Sequence, residues 1–262
     1  MKKIILMTIS ALASVIFSVS IASANKNITF PIISNYLLSQ NEFKDLSQEL
    51  GTAISFDQLG PSSNLGLTGF EIGGALSFAD INQNASYWRK ATADHNPPNY
   101  LIIPRAILRK GLPWGIDIGA SYLQIPNTNI RLVGGEINIA LLKDGIATPA
   151  IGLRASYSAL LGISYLNMQV INASIGISKK LFIFEPYAGI GDVVIISKPN
   201  NIPSSSADIS LPSIQWVYLK QETISEFQGT VGLQLDLPIA RLAFEAAFSK
   251  IPVYSVKLTF GL

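Results

Sequence analysis

The sequence predicts an all-β fold: a transmembrane antiparallel up-and-down β-barrel of about ten strands, preceded by a short helix. Beyond Gly51, apolar residues recur at every second position in segments of about ten residues, as in transmembrane barrel strands. Mean hydropathy is +0.36 with only 14% charged residues, yet beyond the first residues no apolar run reaches the ~18 residues of a spanning helix. Short and longer connections mostly alternate, as periplasmic turns and external loops do.

The first residues have the order of features of a secretory signal peptide. A basic Met1-Lys2-Lys3 precedes an apolar stretch that ends at Ile21, and Ala22-Ser23-Ala24 fits the small-residue cleavage site. The apolar stretch is also long enough to span a bilayer as a retained helix. The polar residues that follow favour cleavage, so we expect residues 1–24 to be a signal peptide and the mature chain to reach the outer membrane.

Composition excludes several kinds of site. The chain has 19 Lys+Arg and 17 Asp+Glu, and without Lys2 and Lys3 both counts are 17. A near-neutral chain gives no sign of a nucleic-acid partner. There is no Cys, which excludes disulfides, thiolate metal sites and a Cys nucleophile. The glycines are dispersed and form no phosphate-binding loop, so no cofactor is expected.

Residues 25–66 differ from the strands that follow. Within NYLLSQNEFKDLSQEL (35–50) apolar residues recur at helical spacing, and Gly51 is a candidate stop. We predict a short amphipathic helix there. Residues 51–58 could instead add a strand, and the whole segment either plugs the lumen, where it could gate transport, or sits in the periplasm.

Residues 67–262 contain ten segments that we predict to be strands. One set of alternate positions is apolar, and the other is polar and rich in Gly and Ser, which suits the inside of a narrow barrel. A twelve-stranded barrel would need 51–58 and a further strand within 208–221. The predicted strands are 67–79, 100–110, 114–124, 130–142, 150–160, 168–178, 182–192, 227–237, 241–249 and 254–262.

The final strand alternates apolar residues up to Phe260 and Leu262, and resembles the C-terminal recognition signal of outer-membrane barrels, which ends in Phe. The segments KGLPWGIDIGASY (110–122), GGEINIALL (134–142) and PYAGIG (186–191) resemble a family of uncharacterised proteobacterial outer-membrane β-barrel proteins. This resemblance covers most of the mature chain. It implies the fold and the location in the outer membrane and brings no activity. We expect outer-membrane lipid as a partner, and the barrel-assembly machinery through the C-terminal strand.

If the apolar set faces lipid, charged residues of both signs enter the lumen. A lone buried charge costs several kcal/mol, so we expect a salt-bridge network that fills the lumen. A narrow polar path for small solutes and a specific ligand site are the alternatives, whereas a large open pore needs around sixteen strands. The residues are Glu71, Arg105, Arg109, Asp117, Glu136, Arg154, Glu185, Asp236, Glu245 and Lys257.

His95 is the only histidine, and it shares a predicted loop with Ser86 and Asp94. One His without Cys makes no metal site, and the spacing matches no catalytic motif. We therefore predict no catalytic, cofactor-binding or metal-binding residues. Several aromatic residues fall near predicted strand ends, where an interfacial girdle is expected. They are Tyr87, Trp88, Trp114, Tyr122, Tyr157, Trp216, Tyr218 and Tyr254.

Three functions remain open at this point. The chain could be a narrow channel for small solutes, a non-conducting structural or interaction barrel with a salt-bridged lumen, or, as the least favoured, a membrane-embedded enzyme. A soluble lipocalin-like barrel is the rival architecture. Periodicity alone does not distinguish it, because its apolar set would point inward around a ligand instead of outward to lipid.

Overall fold

A computed structural model describes residues 38–92, 96–200 and 219–261. Within these ranges, ten antiparallel strands follow one another around a closed barrel, and the last strand pairs with the first. The predicted antiparallel up-and-down barrel and its strand number of ten are confirmed. The strands are β1 (Phe70–Asp80), β2 (Tyr100–Gly111), β3 (Ile116–Gln124), β4 (Arg131–Leu142), β5 (Ala150–Leu161), β6 (Leu166–Ser178), β7 (Phe184–Pro199), β8 (Glu222–Asp236), β9 (Ala240–Phe248) and β10 (Pro252–Gly261).

The two ends of the barrel differ in their connections. One end, which we call the short-turn end, carries four tight connections at 112–115, 143–149, 179–183 and 237–239. The other, the long-loop end, carries 81–99 and 200–221 together with the shorter 125–130, 162–165 and 249–251. A short helix, α2 (Ser86–Ala91), forms inside the first of these long connections. The predicted loop there is therefore partly helical.

Inside and outside are assigned by the burial of alternate residues. Ile72 and Leu108 are 55% and 53% exposed on the outer face, whereas their neighbours Glu71 and Arg109 are buried. The apolar set therefore faces outward on every strand that was assigned from period two. A lipocalin-like arrangement with this set pointing inward is contradicted, because the interior is occupied by the charged side chains and by another part of the chain.

The predicted amphipathic helix is present as α1 (Gln40–Ile54), and it lies inside the barrel. Its N terminus is fixed by a capping box, in which Ser39 and Glu42 satisfy each other's backbone N–H groups. The predicted stop at Gly51 is wrong, since the helix continues to Ile54. A Cβ atom at Gly51 would lie 2.5 Å from Ile195 Cγ2, so this glycine permits close packing against β7.

The chain from residue 38 to residue 66, which we call the plug, runs along the whole lumen. At the long-loop end Gln40 contacts Lys220 and Glu222. At the short-turn end the backbone N–H of Leu65 donates to Asp117. Residues 51–58 therefore form no strand, and the closed ring of ten strands leaves no position for an eleventh or twelfth.

A row of glycines makes room for the plug. Gly152, Gly176 and Gly189 are neighbours across β5, β6 and β7. Cβ atoms at these positions would lie within 2.9 Å of atoms of Ser62 or Gln58. The Gly-rich inner face noted in the sequence thus accommodates backbone and side chains of the plug, not an empty channel.

The predicted signal peptide, residues 25–37, His95 and residues 201–218 lie outside the described ranges. In the parts of the chain that the structure does describe, no helix has the length and apolar character needed to cross a membrane.

Candidate functional site

The half of the lumen near the short-turn end, which we call the charged zone, contains all ten charged residues singled out in the sequence. They come from nine strands and converge on the middle of the barrel. Arg241 on β9 joins them, although it was not among the candidates. Alternation along β9 places Arg241 and Glu245 on the same face, and that signal could have identified it.

Glu136 on β4 is the centre of one ion-pair group. It accepts from Arg109 Nε at 2.5 Å and also from the guanidinium of Arg154. Both arginines donate in addition to the backbone carbonyl of Gln58 in the plug. Because these donors share one carboxylate and one carbonyl, strands β2, β4 and β5 are tied together and to the plug.

Glu71 on β1 is the centre of a second group. It accepts from Arg241 Nη1 at 2.9 Å and from Lys257 Nζ at 3.3 Å, and Arg109 Nη1 lies 3.8 Å away. Lys257 is completely buried. Its partner is therefore essential, since a buried charge without one costs several kcal/mol. Arg109 connects this group to that of Glu136.

Three carboxylates of the charged zone are held mainly by neutral donors. Asp117 accepts from Leu65 N and from Asn138 Nδ2. Glu185 accepts from Ser178 Oγ at 3.0 Å. Glu245 accepts from the Tyr187 hydroxyl at 3.0 Å. The zone thus has more carboxylate than its own cations pair with directly.

The plug meets the charged zone chiefly through its backbone. Arg105 donates to the carbonyls of Ser55 at 2.6 Å and Ala53 at 3.4 Å. Two guanidinium groups approach the Phe56 ring, with the Cζ atoms of Arg105 and Arg154 each 5.9 Å from its centroid. These cation–π contacts and carbonyl contacts fix the position of the plug along the barrel axis.

The half of the lumen near the long-loop end, which we call the apolar zone, is built differently. Here α1 turns Phe43, Leu46 and Leu50 toward inward-facing apolar side chains of the wall, and each of the three is at most 3% exposed. Burying such a side chain contributes about 2 kcal/mol. The wall side chains are Leu101, Ile103, Leu132, Leu160, Met168, Val170, Val193, Ile195, Ile224 and Val253.

Helix α2 is fastened to α1 by two glutamates that the sequence did not single out. Glu49 is buried and accepts from Trp88 Nε1 at 2.6 Å, from the Tyr87 hydroxyl at 2.7 Å and from Asn82 N at 3.1 Å. Burial and the hydrogen bond to Glu49 raise the pKa of Tyr87, which keeps its hydroxyl a donor. Since Glu42 and Glu49 are seven residues apart, they lie on one face of the helix.

Glu42 makes the outer fastening. It accepts from Lys90 Nζ at 2.7 Å and from Ser86 Oγ at 2.7 Å. Burial alone would raise the pKa of Glu42, but hydrogen bonds from Lys90 and from Ser39 outweigh it and lower the pKa to about 2. We call the contacts of Glu42 and Glu49 with α2 the latch.

A polar cavity of about 270 Å³ remains in the charged zone beside the plug. Pro61, Ser63, Asn64 and Leu65 form its inner side, and turn residues of the short-turn end complete it. The charged zone therefore keeps space that is polar enough to hold water.

The residues predicted to form an aromatic girdle lie in different places. Trp114, Tyr122, Tyr157 and Tyr254 are exposed on the outside of the barrel. Trp88 is buried under the long-loop end against α1, and Tyr87 is half-buried there, so both belong to the cover of the plug. Trp216 and Tyr218 lie outside the described residues.

The structure offers no group of three or more His, Cys, Asp or Glu side chains suited to a metal ion among the residues it describes. The distances within the loop triplet of Ser86, Asp94 and His95 are not defined, because Asp94 and His95 lie outside the described residues. Ser86 instead donates to Glu42 in the latch.

No protein-family model matches the chain, and no curated protein matches it in sequence. Two solved structures of Ail, the attachment invasion locus protein of Yersinia pestis, match over 74% of this chain and 95% of theirs. Their sequence identities are 13% and 12%, with TM-scores of 0.30 and 0.29, and the second contains the heparin analogue sucrose octasulfate. Values this low assign neither a family nor a function, so membership of an outer-membrane family stays a prediction.

Proposed function

We propose that this chain is an outer-membrane β-barrel whose lumen is closed by its own N-terminal plug, so that the resting protein does not conduct freely. Of the functions left open by the sequence, this is the non-conducting barrel with a salt-bridged lumen. The observation that carries the proposal is the inverted distribution of side chains, with apolar residues outside and charged residues inside, around a lumen that another part of the chain already fills.

The outer surface supports a lipid environment. Ile118, Ile175, Val231 and Phe244 are each between 44% and 51% exposed and come from four different strands. A soluble monomer rarely exposes an apolar patch larger than a few hundred Å². A band of this kind around a closed barrel is what outer-membrane barrels present to lipid. Outer-membrane lipid is therefore the expected partner of this surface.

The filled lumen supports the closed state. Strand residues on many sides of the ring contact the plug, for example Arg105 on β2, Ser156 on β5 and Gln228 on β8. In the apolar zone, α1 and the wall bury their apolar side chains against each other. A narrow channel for small solutes would therefore need the plug to move, and no catalytic role is proposed.

Membrane insertion can be tested on the outer-membrane fraction of expressing cells. We expect the chain to be found there and to change its gel mobility on boiling, because folded barrels resist detergent until heated. We further propose that β10, whose sequence resembles the C-terminal recognition signal, is the strand presented to the barrel-assembly machinery. A chain found in the soluble periplasm with no mobility shift would contradict the proposal.

Orientation can be tested with single cysteines, because the chain contains none. Short turns face the periplasm in such barrels, so the start of α1 should be open to the cell exterior. Lys44→Cys and Thr68→Cys both replace exposed residues, at opposite ends of the barrel. We expect a membrane-impermeant maleimide to label the first in intact cells and the second only after permeabilisation.

The closed state itself is tested by conductance of the purified full chain in planar bilayers. We expect wild-type protein to insert and to remain closed for most of the recording. Steady conductance from wild-type protein that is folded, as judged by its heat-dependent mobility, would contradict the closed state and restore the simple channel.

A further inference from the structure

The ion pairs of the charged zone are made mostly within the wall. Glu136 pairs with Arg109 and Arg154, and Glu71 pairs with Arg241 and Lys257. All of these residues belong to strands. If the plug leaves, these six charges keep their partners, and for them the large cost of an isolated buried charge does not arise.

What the plug supplies to these side chains is replaceable. Arg109 and Arg154 take one carbonyl oxygen from it, that of Gln58, and Ser156 takes the carbonyl of Phe56. Water offers the same acceptor, and ordered water is nearly as favourable as a direct partner. Arg105 depends more on the plug, since its hydrogen bonds go to the carbonyls of Ser55 and Ala53, and the buried carboxylate of Asp57 in the plug supplies its opposite charge.

Part of the route already exists. The cavity of about 270 Å³ reaches from the short-turn end up to Pro61. Above it, the obstruction is formed by residues 53–60 and by α1. The remaining closure therefore depends on how firmly α1 is kept in the apolar zone.

The latch keeps α1 in place at the long-loop end. Glu49 has three donors from the connection that contains α2, and Glu42 has two. Gln40 adds contacts to Lys220 and Glu222 on the opposite side of the mouth. These polar contacts lie at the entrance of the lumen, where a change outside the barrel can reach them.

We propose that the plug is a gate fastened by this latch, and that its release opens a path for small cations. This inference rests on the proposed function, because it presupposes a barrel that spans the membrane and is closed at rest. It deepens that function by naming the class of solute and the part of the chain that controls access.

The preference for cations follows from the charges that the wall would present. From Glu226 to the short-turn end, the inward strand faces carry seven carboxylates and five cationic side chains. A confined path with surplus negative charge concentrates cations. The carboxylates are Glu71, Asp117, Glu136, Glu185, Glu226, Asp236 and Glu245, and the cations are Arg105, Arg109, Arg154, Arg241 and Lys257.

The test compares wild type with Glu42→Gln/Glu49→Gln in planar bilayers, using the full chain in potassium chloride. We expect the open probability of the double variant to rise at least about tenfold, the factor that ~1.4 kcal/mol produces. Lys44→Gln is the matched control, since Lys44 is on the exposed face of α1 and outside the latch. In a salt gradient, the reversal potential should show that potassium permeates better than chloride.

A reversible lock shows whether the openings pass through the plug site. Ser47 Oγ and Ser197 Oγ lie 2.8 Å apart, so Ser47→Cys/Ser197→Cys can join α1 to β7 by a disulfide. Added to the latch variant, the oxidised pair should abolish the openings, and a reductant should restore them. Openings that persist through the disulfide would overturn the gate.

The remaining outcomes separate the gate from the closed barrel. A latch variant that keeps its heat-dependent mobility but stays as closed as wild type overturns the gate and leaves the closed barrel intact. Chloride preference overturns the cation path. Steady conduction by wild type contradicts the proposed function itself. If the double variant fails to fold, Trp88→Phe removes one donor to Glu49 while keeping an aromatic ring and answers the same question.

Discussion

The apolar zone and the charged zone hold the same plug in different ways. In the apolar zone, α1 is kept by side chains such as Phe43 and Leu50 that pack against the wall. In the charged zone, residues 55–66 are held mainly through backbone carbonyls that arginines of the wall bind. Apolar burial contributes free energy without specifying a position, whereas directed hydrogen bonds specify a position and contribute little net energy. The apolar zone therefore sets how tightly the plug is bound, and the charged zone sets its register.

The largest effect is expected from Phe43→Ala in the apolar zone. Phe43 is 1% exposed, and truncating a buried phenylalanine costs about 3–5 kcal/mol. Hydrogen exchange of the α1 amides should therefore accelerate by roughly a hundredfold or more. Lys44→Ala, one residue further on and exposed, is the control. Unchanged exchange in Phe43→Ala would show that the apolar zone does not retain the plug.

The next largest effect is expected from Glu136→Gln in the charged zone. The change leaves Arg154 without its carboxylate and costs about 2–4 kcal/mol in the denaturant unfolding of the barrel. Because α1 lies in the other zone, exchange of its amides should change much less than in Phe43→Ala. Adding Arg154→Gln should recover part of the loss, and a double-mutant cycle measures the coupling. If Glu136→Gln accelerated hydrogen exchange of the α1 amides as much as Phe43→Ala does, the two zones would not hold the plug independently.

A smaller effect is expected from Gly51→Ala, at the contact between α1 and β7. The new methyl group would overlap Ile195, and overpacking of this kind costs about 1–3 kcal/mol. Gly229→Ala is the matched control, because a Cβ atom there meets nothing within 4 Å. Combining Gly51→Ala with Ile195→Ala should relieve the overlap. Equal unfolding midpoints for the two single alanine variants would argue against close packing at Gly51.

The smallest effect is expected from the titration of Glu42 in the latch. Its pKa is lowered from 4.5 to about 2 in the folded protein, so the stabilisation is complete above pH 4.5 and is lost as the pH falls toward 2. Glu42 is partly exposed, and solvent screening limits the effect to about 1 kcal/mol or less. Unfolding midpoints at pH 6 and pH 3 should differ less in Glu42→Gln than in wild type. A larger difference in the variant would contradict this role.

The barrel could be predicted from the sequence because lipid-facing strands alternate so regularly. Ile72 and Ile118 on one side, and Glu71 and Asp117 on the other, follow from period two alone. The charged candidates were assigned to the lumen by the same rule. Their ion-pair partners could not be predicted, since pairing depends on the register between strands that are far apart in the chain.

The apolar zone was missed for a physical reason. In the outer part of β7, Val193 and Ile195 face inward while Val194 and Ile196 face outward, so both faces are apolar and the alternation disappears. Gly51 was taken as a helix stop because sequence cannot distinguish a glycine that ends a helix from one that allows close packing. Trp88 likewise is an aromatic residue of the kind found in a girdle, but it is buried in the core.

The path of the plug constrains the order in which the parts of the chain can fold. β1 and β10 are the strands that close the ring, and the chain immediately before β1 passes through the ring from end to end. A ring that closed first would have to admit this segment by threading, against wall side chains already packed together. Wrapping the strands around a segment already in place avoids that step. The β1–β10 seam would then be the last part of the sheet to form, with the plug serving as an internal template for the barrel that encloses it.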